Sequence, residues 1–194
     1  MTAPASEREL GPATAYVALG SNLGPRALIL GAALARLEAT PGVLVTARSR
    51  WYETEPVGGP AGQRAFLNGV CRLWSRLPAR ALLERCLAIE AELGRDRSRG
   101  LANAPRTLDL DLLLVGALAI DEPDLRLPHP RLEQRAFVIE PLAELAPELV
   151  LASGRTVREL CESFGAAQRG RPVDGELGLE ELAGISAHEG PRHS

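Results

Sequence analysis

The segment Pro105-Arg106-Thr107-Leu108-Asp109-Leu110-Asp111-Leu112-Leu113-Leu114-Val115-Gly116 constrains the fold more than any other part of the chain, because it sets two carboxylates two residues apart inside an apolar run. In a strand, residues i and i+2 share a face. The aspartates then point one way and the leucines alternate to the other, so the strand belongs to a sheet whose second face tolerates paired negative charge. Such a pair on a rigid element is costly unless a cation compensates it. A hard divalent ion such as Mg2+ is a natural compensator. Arg106, just ahead of the strand, points to an anion beside that ion, and a metal flanked by arginines is the usual equipment of phosphoryl transfer. The alternative is a half-buried strand whose aspartates merely face water, although Asp is a poor strand former.

The rest of the 194 residues suits one soluble domain. A net charge of -3 gives no basic footprint for nucleic acid, while leaving room for arginines clustered around a phosphate-bearing ligand. Cys71, Cys86 and Cys161 have neither metal-ligand nor redox spacing and read as reduced core or near-core residues. The first ten residues hold two glutamates and no apolar block, and no run approaches membrane-spanning length. A cytoplasmic protein without membrane or nucleic-acid partners is expected.

Along the chain, Ala15–Leu19 reads as a strand broken by Gly20-Ser21-Asn22, and Pro25–Leu37 as an amphipathic helix ended by Pro41-Gly42. Val43–Trp51 reads as a second strand, Glu55–Gly62 as a long loop, Phe66–Trp74 as a third strand and Ala79–Leu93 as a second helix stopped at Gly94. Strand, helix, strand, strand, helix, strand is the order of a ferredoxin-like α/β (α+β) sandwich: an antiparallel sheet with two helices on one face and the other face free for a site. After Gly116 come a short strand near Ala119, a rigid Leu127-Pro128-His129-Pro130 turn, and C-terminal helices at Ala136–Leu145 and Thr156–Phe164. Residues 1–13 read as a flexible leader and 165–194 as a mobile tail.

Gly20-Ser21-Asn22-Leu23-Gly24 lacks the lysine and spacing of a phosphate-binding P-loop, and reads better as a tight turn capped by Ser21 or Asn22. Arg95, Arg97, Arg99 and Arg106 surround the polar loop that delivers the chain to Asp109. They form either a solvated face or a clamp over a polyphosphate. His129, held between two prolines, can donate to phosphate or decorate the surface. Phe66 and Phe137 are core by default, but Asn68 shares the strand face of Phe66, and an aromatic beside an amide can stack on and hydrogen-bond a planar heterocycle. Replacing either aspartate is expected to relieve repulsion between neighbouring carboxylates rather than to unfold the chain.

Taken in order, Ala18–Gly24, Trp51–Pro56, Phe66-Leu67-Asn68, Pro105–Asp111 and Leu127–Arg131 resemble hydroxymethyldihydropterin pyrophosphokinase, over about residues 15–163. The resemblance implies that residues 14–164 form a catalytic domain moving the β,γ-pyrophosphoryl group of ATP onto the hydroxymethyl oxygen of a reduced pterin, with release of AMP in folate biosynthesis. It implies that Asp109 and Asp111 hold two Mg2+ ions. Arg95, Arg97, Arg106, His129 and Arg135 would contact or close over the ATP phosphates, with Glu90 and Leu112 near the nucleotide. Phe66 and Phe137 would sandwich the pterin, and Asn68 with the backbone around Thr54, Val57 and Gly58 would form its hydrogen-bonding rim. The loop Arg95–Asn103 would close as a lid, although Leu101-Ala102-Asn103-Ala104 stands where many members carry an aromatic. A monomer acting on these two small molecules is expected. The alternatives are another Mg2+-dependent nucleotidyl or phosphoryl transferase, and a non-enzymatic ferredoxin-like module that displays aromatics to RNA.

Overall fold

The computed structural model describes residues 11–95 and 104–173. The chain runs β1 (Ala13–Ser21), α1 (Arg26–Glu38), β2 (Val43–Arg48), β3 (Trp51–Thr54), β4 (Phe66–Ser75), α2 (Ala79–Glu92), β5 (Asp109–Val115), β6 (Ile120–Asp121), β7 (Arg126–Leu127), α3 (Ala136–Leu145), α4 (Val157–Ser163) and β8 (Arg171–Val173). The main sheet is antiparallel with strand order β5-β1-β4-β3-β8, and β2 pairs with β4 alongside β3.

Strict alternation along β1 divides the layers. Ala15, Val17 and Leu19 face α1 and α2, with Leu67, Cys71 and Leu73 of β4 and Leu110 and Leu112 of β5 in the same cluster. Leu30, Ala33 and Leu37 of α1, and Leu82, Cys86 and Ile89 of α2, seal that face at helical spacing. Tyr16, Val70, Leu113 and Leu114 face the other way, onto Val138, Ile139 and Leu142 of α3. The second face is therefore not left free, as the ferredoxin-like reading expected. α3 covers one half of it, and the open half lies toward Asn68 and Asp109.

Three further differences from the sequence-based reading have local causes. The segment read as one strand over Val43–Trp51 is two strands, because Ser49 breaks the ladder between them: its N–H donates to Val70 O (2.9 Å) and its hydroxyl accepts the Val70 N–H (3.0 Å). In β5 the pairing passes from Tyr16↔Leu114 to Val17↔Leu112, so Leu113 is the extra residue of a bulge. Leu113 and Leu114 consequently face the same layer, and the Leu113 carbonyl accepts the His129 N–H (2.9 Å), which ties the Pro128-His129-Pro130 turn to the strand. Finally, the chain stays ordered beyond the expected boundary at 164. Ala166–Gln168 forms a 3-10 turn and Arg171–Val173 pairs with β3 as an edge strand, while residues 174–194 lie outside the described residues.

α3 spans Ala136–Leu145 as its periodicity predicts, and α4 packs against it. Thr156 begins α4 with a capping box: its hydroxyl accepts the Glu159 N–H (3.2 Å), and the Glu159 carboxylate accepts the Thr156 N–H (2.8 Å). Thr156→Ala removes one arm of that box and is expected to lower unfolding free energy by about 1 kcal/mol. Urea denaturation checks this, and an unchanged midpoint would show the cap to be without consequence.

Candidate active site

On the uncovered half of the second face, register places three residues side by side. Gly20 in β1 pairs with Asn68 in β4 on one side and with Asp109 in β5 on the other. A Cβ at Gly20 would lie 2.7 Å from Asn68 Oδ1, so the missing side chain makes the floor between amide and carboxylate. Around this floor opens a cleft of about 1040 Å3, ample for more than one small ligand. Its walls include Phe66, Phe137, Arg106, Arg135, Asp111 and His129.

The aspartates share the cleft face, as the strand pattern requires. Arginines from three separate segments compensate them. Arg95, just after α2, and Arg106, just before β5, both donate to Asp109, the latter at 2.8 Å. Arg135, which precedes α3, donates to Asp111 at 2.7 Å. Arg106 also lies 5.6 Å from the Phe66 ring centroid, and Arg135 the same distance from that of Phe137. Burial alone would lower the pKa of Arg95, but the carboxylates of Asp109 and Glu90 more than offset it and hold the guanidinium firmly charged.

Glu90 does not open onto the cleft. With 1% of its side chain exposed, it accepts the Leu110 N–H (2.7 Å) and pairs with Arg95, so it anchors that arginine to α2 and β5. Alternation buries the Leu112 side chain among the α1 and α2 core residues, opposite the aspartates, so a nucleotide contact at this position would come from its backbone. His129 does reach the site. Its Nδ1 accepts the Arg131 N–H (3.2 Å), which leaves Nε2 to carry the proton of the neutral ring, 3.9 Å from Asp111 Oδ2. Burial pushes its pKa below the ordinary histidine value, Asp111 opposes this, and Arg135 and Arg131 add to it.

On the opposite wall, Asn68 Nδ2 donates to Thr54 Oγ1 at 2.7 Å in a buried pair, and the loop after β3 brings Val57 and Gly58 to the rim. Val57 is 73% exposed and Gly58 has a positive φ of 74°. Arg97 and the rest of the expected lid at 96–103 lie outside the described residues.

Two contributors escaped the sequence reading. Asn22 is fully buried, and its Oδ1 accepts the Arg106 N–H (2.8 Å) while its N–H donates to Arg106 O (3.1 Å). It thus locks the segment before β5 to the end of β1. The other is the wall formed by Gln168, Arg169 and Arg171, which no periodicity announces.

The pairing pattern reverses the expectation that an aspartate can be removed without cost. Asp109→Asn strips charge from a pair of arginines and Asp111→Asn from one, so the free protein should lose about 1–3 kcal/mol in the first case and less in the second. Urea melts of both variants in chelator would refute this order if Asp111→Asn proved the more damaging.

A family model for 7,8-dihydro-6-hydroxymethylpterin-pyrophosphokinase matches residues 16–147. Proteins named 2-amino-4-hydroxy-6-hydroxymethyldihydropteridine pyrophosphokinase are similar to the chain: that of Methylorubrum extorquens is 46% identical over 145 residues, covering 75% of this chain and 89% of its own. The Pseudomonas aeruginosa protein is 47% identical over 145 residues, with 75% and 88% covered. Among solved structures, wild-type Plasmodium falciparum HPPK-DHPS with pterin and p-hydroxybenzoate matches with a TM-score of 0.62 at 15% identity, a likeness of fold. That match covers 80% of this chain and 44% of the larger one, so the chain spans less than half of its length.

Proposed function

Since the chain belongs to the 7,8-dihydro-6-hydroxymethylpterin-pyrophosphokinase family, we propose that the cleft between β5, β4 and α3 is where it carries out that family's reaction. The protein transfers the pyrophosphoryl group of ATP to the hydroxymethyl group of the reduced pterin, a step of folate biosynthesis. The hydroxymethyl oxygen bonds to the β-phosphorus, the bond from that phosphorus to the oxygen shared with the α-phosphate breaks, and AMP departs with that oxygen.

One observation carries the assignment of roles: two strand-borne carboxylates and three arginines share a cleft with two phenylalanines and a buried amide. The residues fit Mg2+. Two carboxylates on one face are the short set of hard oxygen donors this ion takes from a protein, the remainder coming from phosphates and water. Two ions on Asp109 and Asp111 would neutralise the phosphates and draw charge from the reacting oxygens.

Arg95, Arg106 and Arg135 pair with these carboxylates; with Mg2+ held by Asp109 and Asp111, the guanidiniums would turn to the phosphate oxygens, which they match in bidentate geometry. Arg97 is assigned to the same clamp. His129, donating from Nε2, adds a phosphate contact. Phe66 and Phe137 stack on the pterin faces, while Asn68, Thr54 and the Val57-Gly58 backbone read its hydrogen-bonding edge. Glu90 acts through Arg95. No helix among the described residues is long and apolar enough to cross a membrane, and the reading is of a cytoplasmic monomer with no nucleic-acid partner.

Mixing the protein with ATP, Mg2+ and hydroxymethyldihydropterin should yield AMP. Production of ADP would instead identify an ordinary kinase, and no product would refute the reading. Phe137→Leu should raise the pterin Kd by about fivefold at unchanged affinity for an ATP analogue, since an aromatic pair contributes about 1 kcal/mol beyond area burial. An unchanged calorimetric affinity for pterin would return Phe137 to the core.

A further inference from the structure

The segment 165–173 follows the region matched by the family model, yet it forms part of the cleft wall through Ala167, Gln168, Arg169 and Arg171. It is held from several sides. The Arg169 guanidinium donates to Cys161 O (2.9 Å), the Gly170 N–H donates to Glu140 Oε2 of α3 (2.7 Å), and Arg171 pairs with Glu53 (2.6 Å). Glu53 in turn pairs with Arg26 at 2.9 Å, so this strap is tied across β3 to the start of α1.

At Gly170 the missing side chain leaves its space to residues of β3. A Cβ built at Gly170 would lie 2.8 Å from Thr54 Cγ2, 3.0 Å from Tyr52 Cβ and 3.3 Å from Glu53 O. Glycine is needed at 170 for space. Thr54 is the residue whose Oγ1 accepts the buried hydrogen bond from Asn68 Nδ2, and Asn68 Oδ1 stands over Gly20 at the cleft floor. Threonine Oγ1 and Cγ2 share one Cβ, so whatever presses on the methyl group sets χ1 and hence the position of the hydroxyl. The hydroxyl fixes which way the Asn68 amide faces.

We propose that the 165–173 strap is a wall of the acceptor subsite, and that Gly170, held by Glu140, is a positioning residue: by leaving to Thr54 Cγ2 the space a side chain would fill, it allows the Thr54 rotamer that sets the orientation in which Asn68 meets the pterin. The inference rests on the reading of Thr54 and Asn68 as acceptor-binding residues. It gives the C-terminal segment a role in acceptor recognition, separate from the nucleotide clamp on the β5 side of the cleft.

The test uses the full-length chain with Mg2+ and hydroxymethyldihydropterin, with ATP for turnover and a nonhydrolysable ATP analogue for binding. Gly170→Ala forces Thr54 to rotate, and should raise the pterin KM by about tenfold while kcat falls less and affinity for the ATP analogue stays within about twofold. The double variant G170A/T54S removes the opposing methyl group but keeps the hydroxyl, and should recover pterin affinity relative to Gly170→Ala. A pterin KM unchanged in Gly170→Ala overturns the inference, as does a parallel loss of ATP-analogue affinity and thermal stability, or a double variant no better than the single one. Wild-type protein assayed alongside separates the two levels: AMP formation without these effects removes the strap from acceptor recognition and leaves the reaction standing, whereas absence of AMP removes the reaction itself.

Discussion

The charge balance around Asp109 and Asp111 governs how the layers meet. Each carboxylate sits on β5, and each guanidinium that answers it comes from the entry or exit of an element: Arg95 from the end of α2, Arg106 from the segment leading into β5 itself, Arg135 from the residue before α3. The helical layers on both sides of the sheet are therefore pulled toward the same strand by the same pair of side chains. These ion pairs are partly buried, with 15–31% side-chain exposure, which places each between the roughly 1 kcal/mol of a surface pair and the roughly 3 kcal/mol or more of a buried one. That intermediate strength suits the proposed site, in which the guanidiniums would pass from carboxylates to a polyphosphate. A fully buried pair would hold its geometry too well to yield, and a fully solvated one would not keep the cleft organised.

Local rules made much of this legible. The spacing of Asp109 and Asp111 put them on one face, the spacing of Phe66 and Asn68 put those on one face, and the apolar period of Ala136–Leu145 gave α3 its observed ends. What the sequence concealed was set by tertiary contact. Ser49 has nothing in its neighbours to mark it as a break, because the break exists only through its two hydrogen bonds to Val70. Leu113 belongs to a run of three leucines, and which of them forms the bulge is decided by where β1 and the His129 turn engage the strand. β8 has three residues, one of them proline, so it carries no period to detect and pairs only because it lies along β3.

Two residues show how a motif can be recognised while its physics is missed. Within Gly20-Ser21-Asn22-Leu23-Gly24, turn chemistry accounts for the stop after β1, but the buried consequence is different in kind. Gly20 is an empty side-chain position in a central strand, without which Asn68 and Asp109 could not flank a shared floor. Asn22 uses its amide oxygen and its backbone to hold the segment bearing Arg106. A glycine inside a strand is a signal that something approaches closely. What approaches cannot be read until the register of three strands is known.

The asymmetry of the sheet's two faces explains why the cleft lies where it does. α1 and α2 together close the first face over Leu67, Leu73, Leu110 and Leu112, and the buried Glu90 there is satisfied by the Leu110 N–H and Arg95. On the second face α3 is a single helix of ten residues, about 15 Å long, which cannot cover a sheet face of this width. It settles where Tyr16, Val70, Leu113 and Leu114 offer apolar contact, and ends its cover where Gly20, Asn68, Asp109 and Asp111 begin. The first turn of the helix thus stands at the boundary between dry and polar sheet, which is why Arg135 and Phe137 enter the cleft from α3 while Arg106 and Phe66 enter from the segment before β5 and from β4. Each side of the cleft consequently supplies one ring with a guanidinium beside it, and the separation of the two rings is set by helix-on-sheet packing.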